Sequence, residues 1–206
     1  KKENLMIKRI FDLLLVFLCI IFLMPIFLII CLLVKLDSKG SIFFLQNSVG
    51  LDEKIFKIIK FRTMYINQSS ISTITLKNDP RITKIGKYLR NYKLDELPEL
   101  FNVLIGDMSF VGPRPDVAGY ADKLVGVNRN ILKLKPGITS WASLKYVNEE
   151  LLLTQVKDPI SYNNRVIYPD KVKMNLNYYN NHNIWIDIKV IFATISLLLS
   201  GLFKHK

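Results

Sequence analysis

Histidine and cysteine are nearly missing from this chain: two of each occur in 206 residues. His182 and His205 are too few for a His-rich metal cage, and they make a Ser-His-Asp or Cys-His centre a poor expectation. Cys19 and Cys31 both fall inside one apolar run, which excludes a disulfide scaffold and reads as two buried thiols. Negative charge is also short. Seventeen acids face 29 Lys and Arg, for a net charge of +12. No internal repeat is visible. Any chemistry must rest on carboxylates, Lys, Arg and hydroxyls.

Apolar residues are not scarce. They make up 50% of the chain, and the mean hydropathy is +0.23. That excludes a disordered chain and favours one domain, or one domain with an appendage. Residues 13–34 hold 22 positions without a charge. A straight helix of that length spans ~33 Å, against a hydrocarbon core of ~30 Å. The run is long for a cleavable signal peptide, and Lys35, Leu36 and Asp37 follow it with no small-residue cleavage site. Two readings stay open. One is a single spanning helix. The other is a re-entrant hairpin broken at Pro25, since the basic flanks on both sides (Lys1, Lys2, Lys8, Arg9, then Lys35, Lys39) suit a segment that enters and leaves by one face.

Residues 41–49 and 54–63 are rich in β-formers, and Gly50 to Glu53 between them supply turn chemistry, so a β-hairpin is expected. Residues 67–75 read as a polar loop. Helical spacing predicts an amphipathic helix over 83–93 and another over 96–105, ended by Gly106. Residues 106–115 form a loop dense in Gly and Pro. A further helix is expected over 171–179. The tail, 184–203, is strongly apolar; its uncharged part is short for a span and fits an interfacial or buried helix.

Charge is unevenly placed. Residues 54–93 carry ten basic groups and one acid, while 95–122 carry six acids and one base, Arg114. A basic block beside an acidic one suits a phosphorylated substrate with a divalent metal. A basic face on anionic lipid explains the first block equally. Nucleic-acid binding ranks low, because no recognised motif for it appears. Asp95-Glu96 open the second helix. They read either as capping and dipole residues or as a carboxylate nucleophile beside a metal ligand. Arg114, between Pro113 and Pro115, is presented by a stiff loop; it reads either as a phosphate clamp or as an exposed loop Arg.

In order along the chain, these motifs resemble the bacterial sugar transferases of the small monotopic phosphoglycosyl transferase type. The matching segments include Lys8-Arg9-Ile10-Phe11-Asp12, Lys60-Phe61-Arg62-Thr63-Met64, Asp79-Pro80-Arg81-Ile82-Thr83, Leu94-Asp95-Glu96-Leu97-Pro98-Glu99-Leu100 and Gly106-Asp107-Met108-Ser109-Phe110-Val111-Gly112-Pro113-Arg114-Pro115. The resemblance implies an α+β, mostly helical, monotopic membrane protein. Residues 1–37 would be a re-entrant anchor. Residues 38–206 would be a catalytic domain at the cytoplasmic face of the bacterial inner membrane, with a small β-hairpin and an interfacial helix over 184–203. It also implies transfer of a phosphosugar from a UDP-sugar to undecaprenyl phosphate with release of UMP. Asp95 would be the nucleophile and Glu96 would help to hold Mg²⁺. Lys60, Arg62, Arg81 and Arg114 would neutralise the diphosphate. The competing expectations are a sugar transferase that releases UDP and a non-catalytic membrane scaffold. Two departures stand out: Met24 precedes Pro25 where the family has Ser, and Gly137-Ile138-Thr139 continues as Ser140-Trp141.

Overall fold

The computed structural model describes residues 2–65, 79–117 and 119–203; the polar loop expected over 67–75 lies outside them. The described chain is mostly helical, with two small sheets. Helix α1 (Lys2–Asp37) leads into strands β1 (Phe43–Val49) and β2 (Ile55–Phe61). These pair antiparallel from Phe43 opposite Phe61 to Val49 opposite Ile55, which is the expected hairpin. Helices α2 (Lys84–Asn91) and α3 (Glu99–Ile105) follow, joined through a 3₁₀ turn at Leu94–Glu96. Thr83 caps α2 through its side chain, and Gly106, at φ 101°, closes α3 in the left-handed conformation that glycine adopts freely.

Strands β3 (Ser109–Val111) and β4 (Gly137–Thr139) are short and parallel, and the sequence pattern did not announce them. They cross very closely. A Cβ on Gly112 would sit 2.3 Å from the Lys135 carbonyl oxygen, and one on Gly137 would sit 2.1 Å from the Gly112 nitrogen. Neither position has room for a side chain. Helices α4 (Trp141–Lys145), α5 (Glu149–Thr154) and α6 (Pro159–Tyr162) lead through a π turn into α7 (Tyr168–Asn181), and α8 (Ile184–Phe203) ends the described chain.

Helix α1 continues across Pro25, where the sequence expectation is a break into two arms. A proline inside a helix removes one backbone bond and favours a kink, and neighbouring packing can retain the helix around it. Among the described residues, α1 is the one helix long and apolar enough to cross a membrane. It is docked on the rest of the chain at almost every turn. Arg9 donates to the Val103 and Leu104 carbonyls at the C-terminal end of α3, at 2.6 and 2.9 Å. Asp12 accepts from the Phe110 amide. Val16 packs in the main core with Val103, Met108 and Val190. Phe27 meets Phe43, Phe61 and Phe101, and Ile30 and Val34 pack beside Leu89. Asp37 accepts from the Ile85 amide at the start of α2. A cation at one helix C-terminus and a carboxylate at another helix N-terminus both favour the dipoles they meet. The opposite side of α1 is bare and apolar: Leu14, Phe17, Phe22 and Leu28 are each more than 60% exposed. Cys19 and Cys31 are free and half-buried, less covered than the sequence expectation of buried thiols.

Candidate active site

The positions of the charged residues follow from two anchors. Asn102 is fully buried on α3. Its amide donates to the Lys57 carbonyl at 2.7 Å and its oxygen accepts from the Ile59 amide at 2.9 Å, so α3 is fixed to the outer edge of β2. This brings Lys60 of β2 against the start of α3. The second anchor is the β3–β4 crossing. The Gly137 amide donates to the Pro113 carbonyl at 2.8 Å, and the Gly112 amide donates to the Thr139 carbonyl at 3.1 Å. The loop carrying Arg114 is thereby tied at its root and stiffened by the prolines on each side.

Lys60, Asp95, Glu96, Glu99 and Arg114 meet there. Arg114 holds both oxygens of Glu96, with Nη1 3.2 Å from Oε2 and Nη2 on Oε1. Lys60 lies between two carboxylates, 3.5 Å from Glu96 and 3.3 Å from Glu99. Asp95 is buried. Its Oδ1 makes no hydrogen bond, and neither does Oε2 of the buried Glu99. The capping account of Asp95 does not hold in this structure. The turn at Leu94–Glu96 follows Lys93, α3 follows Pro98, and neither end has a side-chain cap.

The environments push these carboxyls apart. Burial raises Asp95 above the usual carboxylate range, and the neighbouring charge of Glu96 adds to this. Burial would raise Glu96 as well, but Arg114 and Lys60 more than offset it and hold Glu96 ionised. Burial raises Glu99 to about 7 against the pull of Lys60. One carboxylate is thus neutralised by a guanidinium, while its neighbour keeps an unpaired oxygen. A desolvated, unpaired carboxylate oxygen is poised for attack on an electrophile, since bonding removes a charge that the site stabilises poorly.

Other expected residues lie differently. Arg62 is buried, and its guanidinium donates to the Ser38 and Lys39 carbonyls just past α1. It ties the exit of α1 to β2 with two of its nitrogens, while its Nε is buried without a partner and the residue lines the cleft. Arg81 is held in a fork by Asp79, which that hydrogen-bonded pairing keeps down at about 2. Its charge is matched locally, although it still lines the cleft. Pro25 lies inside α1, away from these charges. Glu99 is the residue that sequence reasoning missed. It reads as a dipole-favouring residue one turn after Glu96, and only the fold shows Lys60 reaching it.

Lys60, Asp95, Glu96 and Arg114 open on a cleft of about 1140 Å³, with Glu99 buried behind them. One side is charged, with Lys60, Asp95, Glu96 and Arg114. Another is apolar and comes from the two hydrophobic helices, with Cys19 and Leu23 of α1 and Ile195 and Leu198 of α8. Among the described residues, no three His, Cys, Asp or Glu side chains converge as a metal site.

The family model described as bacterial sugar transferase matches residues 3–201. The chain is 37% identical over 197 residues to the UDP-glucose:undecaprenyl-phosphate glucose-1-phosphate transferase of Klebsiella pneumoniae, covering 93% of this chain and 40% of that protein. It is 37% identical over 196 residues to the undecaprenyl-phosphate glucose phosphotransferase of Komagataeibacter xylinus, covering 91% and 35%. With the exopolysaccharide production protein PSS of Rhizobium leguminosarum bv. phaseoli it shares 35% over 200 residues, covering 93% and 94%. The chain therefore spans two fifths or less of the first two relatives and nearly all of the third.

Proposed function

The chain belongs to the bacterial sugar transferase family, and from that membership and the geometry of the cleft we propose that it transfers a phosphosugar from a UDP-sugar to undecaprenyl phosphate, releasing UMP. The observation that carries this reading is the single cleft with a charged wall and an apolar wall. A polar, soluble donor and a greasy, phosphorylated acceptor must meet, and this cleft offers each a matching surface. The relatives named for a glucose-1-phosphate transferase and a glucose phosphotransferase support the same chemistry.

The proposed reaction has two steps. An Asp95 carboxylate oxygen attacks the β-phosphorus of the donor. The bond from that phosphorus to the bridging oxygen breaks, and UMP leaves with the electron pair. A phosphate oxygen of undecaprenyl phosphate then attacks the same phosphorus, and the Asp95 carboxylate is released. Arg114 and Lys60 would balance the diphosphate charge, with Arg114 able to grip two phosphate oxygens at once. Glu96 holds Arg114 in place until the donor arrives. Glu96 beside the donor phosphates is the carboxylate placed to take a hard divalent cation, since one or two carboxylates with donor phosphates are the usual setting for Mg²⁺. Glu96 would hold it, leaving Asp95 free as nucleophile. When bound, it would draw charge from the departing UMP.

Residues 1–37 would anchor the catalytic part, residues 38–206, at the cytoplasmic face of the inner membrane. The docking of α1 supports a segment that enters and leaves by one face. Arg9 and Asp37 lie roughly 42 Å apart along a straight helix, yet both contact the same folded body. A straight spanning helix would leave that body within a turn or two. The exposed apolar faces of α1 and α8, including Phe22, Trp185 and Phe192, would then lie in lipid.

The test is a screen for UMP release across UDP-sugars, using the purified chain with undecaprenyl phosphate and Mg²⁺. UMP and a lipid-linked phosphosugar are expected. Release of UDP would replace this reading with plain sugar transfer. No product with any donor would leave a scaffold.

A further inference from the structure

The cleft has a second polar wall, outside the charge cluster around Glu96. Asp116, Tyr146, Glu149, Tyr168 and Lys171 all line it. Lys171 donates to Glu149 at 2.5 Å and lies 5.6 Å from the centre of the Tyr146 ring. Their own pairing accounts for those three. It does not account for Tyr168, whose buried hydroxyl has no partner outside its close approach to Asp116. That hydroxyl lies beside the Asp116 carboxyl. A phenol and a carboxyl that have only each other, at the wall of a cleft, keep donor and acceptor capacity for a ligand.

The chain geometry limits what that ligand is. Asp116 follows Arg114 by two residues, with Pro115 between them, so the two Cα atoms are at most about 7 Å apart. A group bound at Asp116 and Tyr168 is therefore next to whatever Arg114 grips. A carboxylate and a phenol are acceptor and donor for ring hydroxyls, and tyrosine faces suit the apolar side of a sugar ring. A second phosphate would be repelled by Asp116 and Glu149.

We propose that Asp116 and Tyr168 form a hydroxyl-binding subsite that holds a sugar ring of the donor while Arg114 holds the adjoining phosphate. The inference rests on the UDP-sugar reading above and extends it to a substrate-selecting wall. Two rings in a UDP-sugar carry such hydroxyls, the transferred sugar and the ribose, and binding data separate them.

The experiment is calorimetric titration of the full chain in phospholipid nanodiscs, in an Asp95→Asn background so that no donor is consumed. UDP-glucose, UDP-N-acetylgalactosamine and UDP are the probes. Tyr168→Phe removes one oxygen and leaves the ring, so its melting temperature should stay level or rise. We expect it to weaken the preferred UDP-sugar by ~3–10-fold, the scale of one neutral hydrogen bond. Asp116→Asn should weaken it more. A loss confined to the UDP-sugars assigns the subsite to the transferred sugar; an equal loss for UDP assigns it to the ribose. Unchanged affinities for all probes in both variants would overturn the subsite, as would a marked fall in the melting temperature of Tyr168→Phe. If the parent binds UDP-sugars and only the variants behave as wild type, the subsite alone fails. If neither the parent nor the wild-type chain binds UDP or any UDP-sugar, the donor reading fails and the subsite with it.

Discussion

Two buried charge clusters in this molecule are built from the same residue types and finished differently. At the junction of α1, β3, α7 and α8, Lys8 donates to Asp187 at 2.5 Å, to the Val111 carbonyl at 3.1 Å and to the Tyr178 hydroxyl at 3.4 Å. Tyr178 donates to the other Asp187 oxygen at 2.5 Å. Every polar atom of these three side chains has a partner. In the cleft, Lys60 and Arg114 also meet carboxylates, but Asp95 Oδ1 and Glu99 Oε2 have none. A closed network holds helices together, and an open one leaves the cost of unpaired oxygens standing until a ligand arrives. The difference separates a clamp from a site, although both read as scattered charges along the chain.

The sharpest way to break this contrast is Asp95→Asn. The amide keeps the volume and loses the nucleophile. Under the proposed reaction, turnover falls by at least about a thousandfold. Stability should hold or rise slightly, since burial already disfavours the ionised form of Asp95. Incubating the wild type with labelled donor and no acceptor should label the protein, and the variant should stay unlabelled. Retained turnover in the variant would return Asp95 to a structural role and move the nucleophile elsewhere.

The opposite variant, Asp187→Ala, opens the closed cluster. It strands Lys8 and the Tyr178 hydroxyl, and removing one partner of a buried pair costs about 3 kcal/mol. For a chain of this size that is a fall of roughly 6–12 °C in melting temperature. Asp187→Asn, which retains an acceptor, should fall less. If Asp187→Ala melts like the wild type, the closed network is not a clamp.

How much of this was legible beforehand depends on whether the signal was local. The hairpin, the helices over 83–93 and 184–203, and the Asp95-Glu96 and Pro113-Arg114-Pro115 motifs each lie within a few residues, so spacing reveals them. The parallel β3–β4 pair does not, because its strands are three residues each and lie 26 positions apart. Arg62 and Arg81 looked equivalent to Lys60 and Arg114 as positive charges near a phosphate site. Only the fold shows that two carbonyls at the exit of α1 hold Arg62 and that Asp79 holds Arg81. Asn102 carries no signal in the sequence, yet it is what aligns α3 with β2. Tyr168 carries no signal at all until Asp116 is seen beside it at the cleft wall.

The mildest expected effect is a pH dependence of the charge cluster at the cleft. Burial raises Glu99 from its ordinary 4.5 to about 7, with Lys60 pulling it down less than burial pushes it up. Between those values the folded chain binds a proton at Glu99 more tightly than the unfolded chain does. Stability from this group is therefore greatest below pH 4.5 and declines as pH rises towards 7. Asp116, raised by burial to about 6, adds to the same slope. Glu96 is displaced the other way by Arg114 and Lys60, so its contribution is lost only in acid, outside this window. Glu99→Gln keeps an acceptor for Lys60 and cannot titrate. Its melting temperature should vary less between pH 5 and 8 than that of the wild type, with the variant the more stable at pH 8. Parallel curves for wild type and Glu99→Gln would mean that the proton on Glu99 does not distinguish the folded chain from the unfolded one, and the contrast between open and closed clusters would then rest on Asp95 alone.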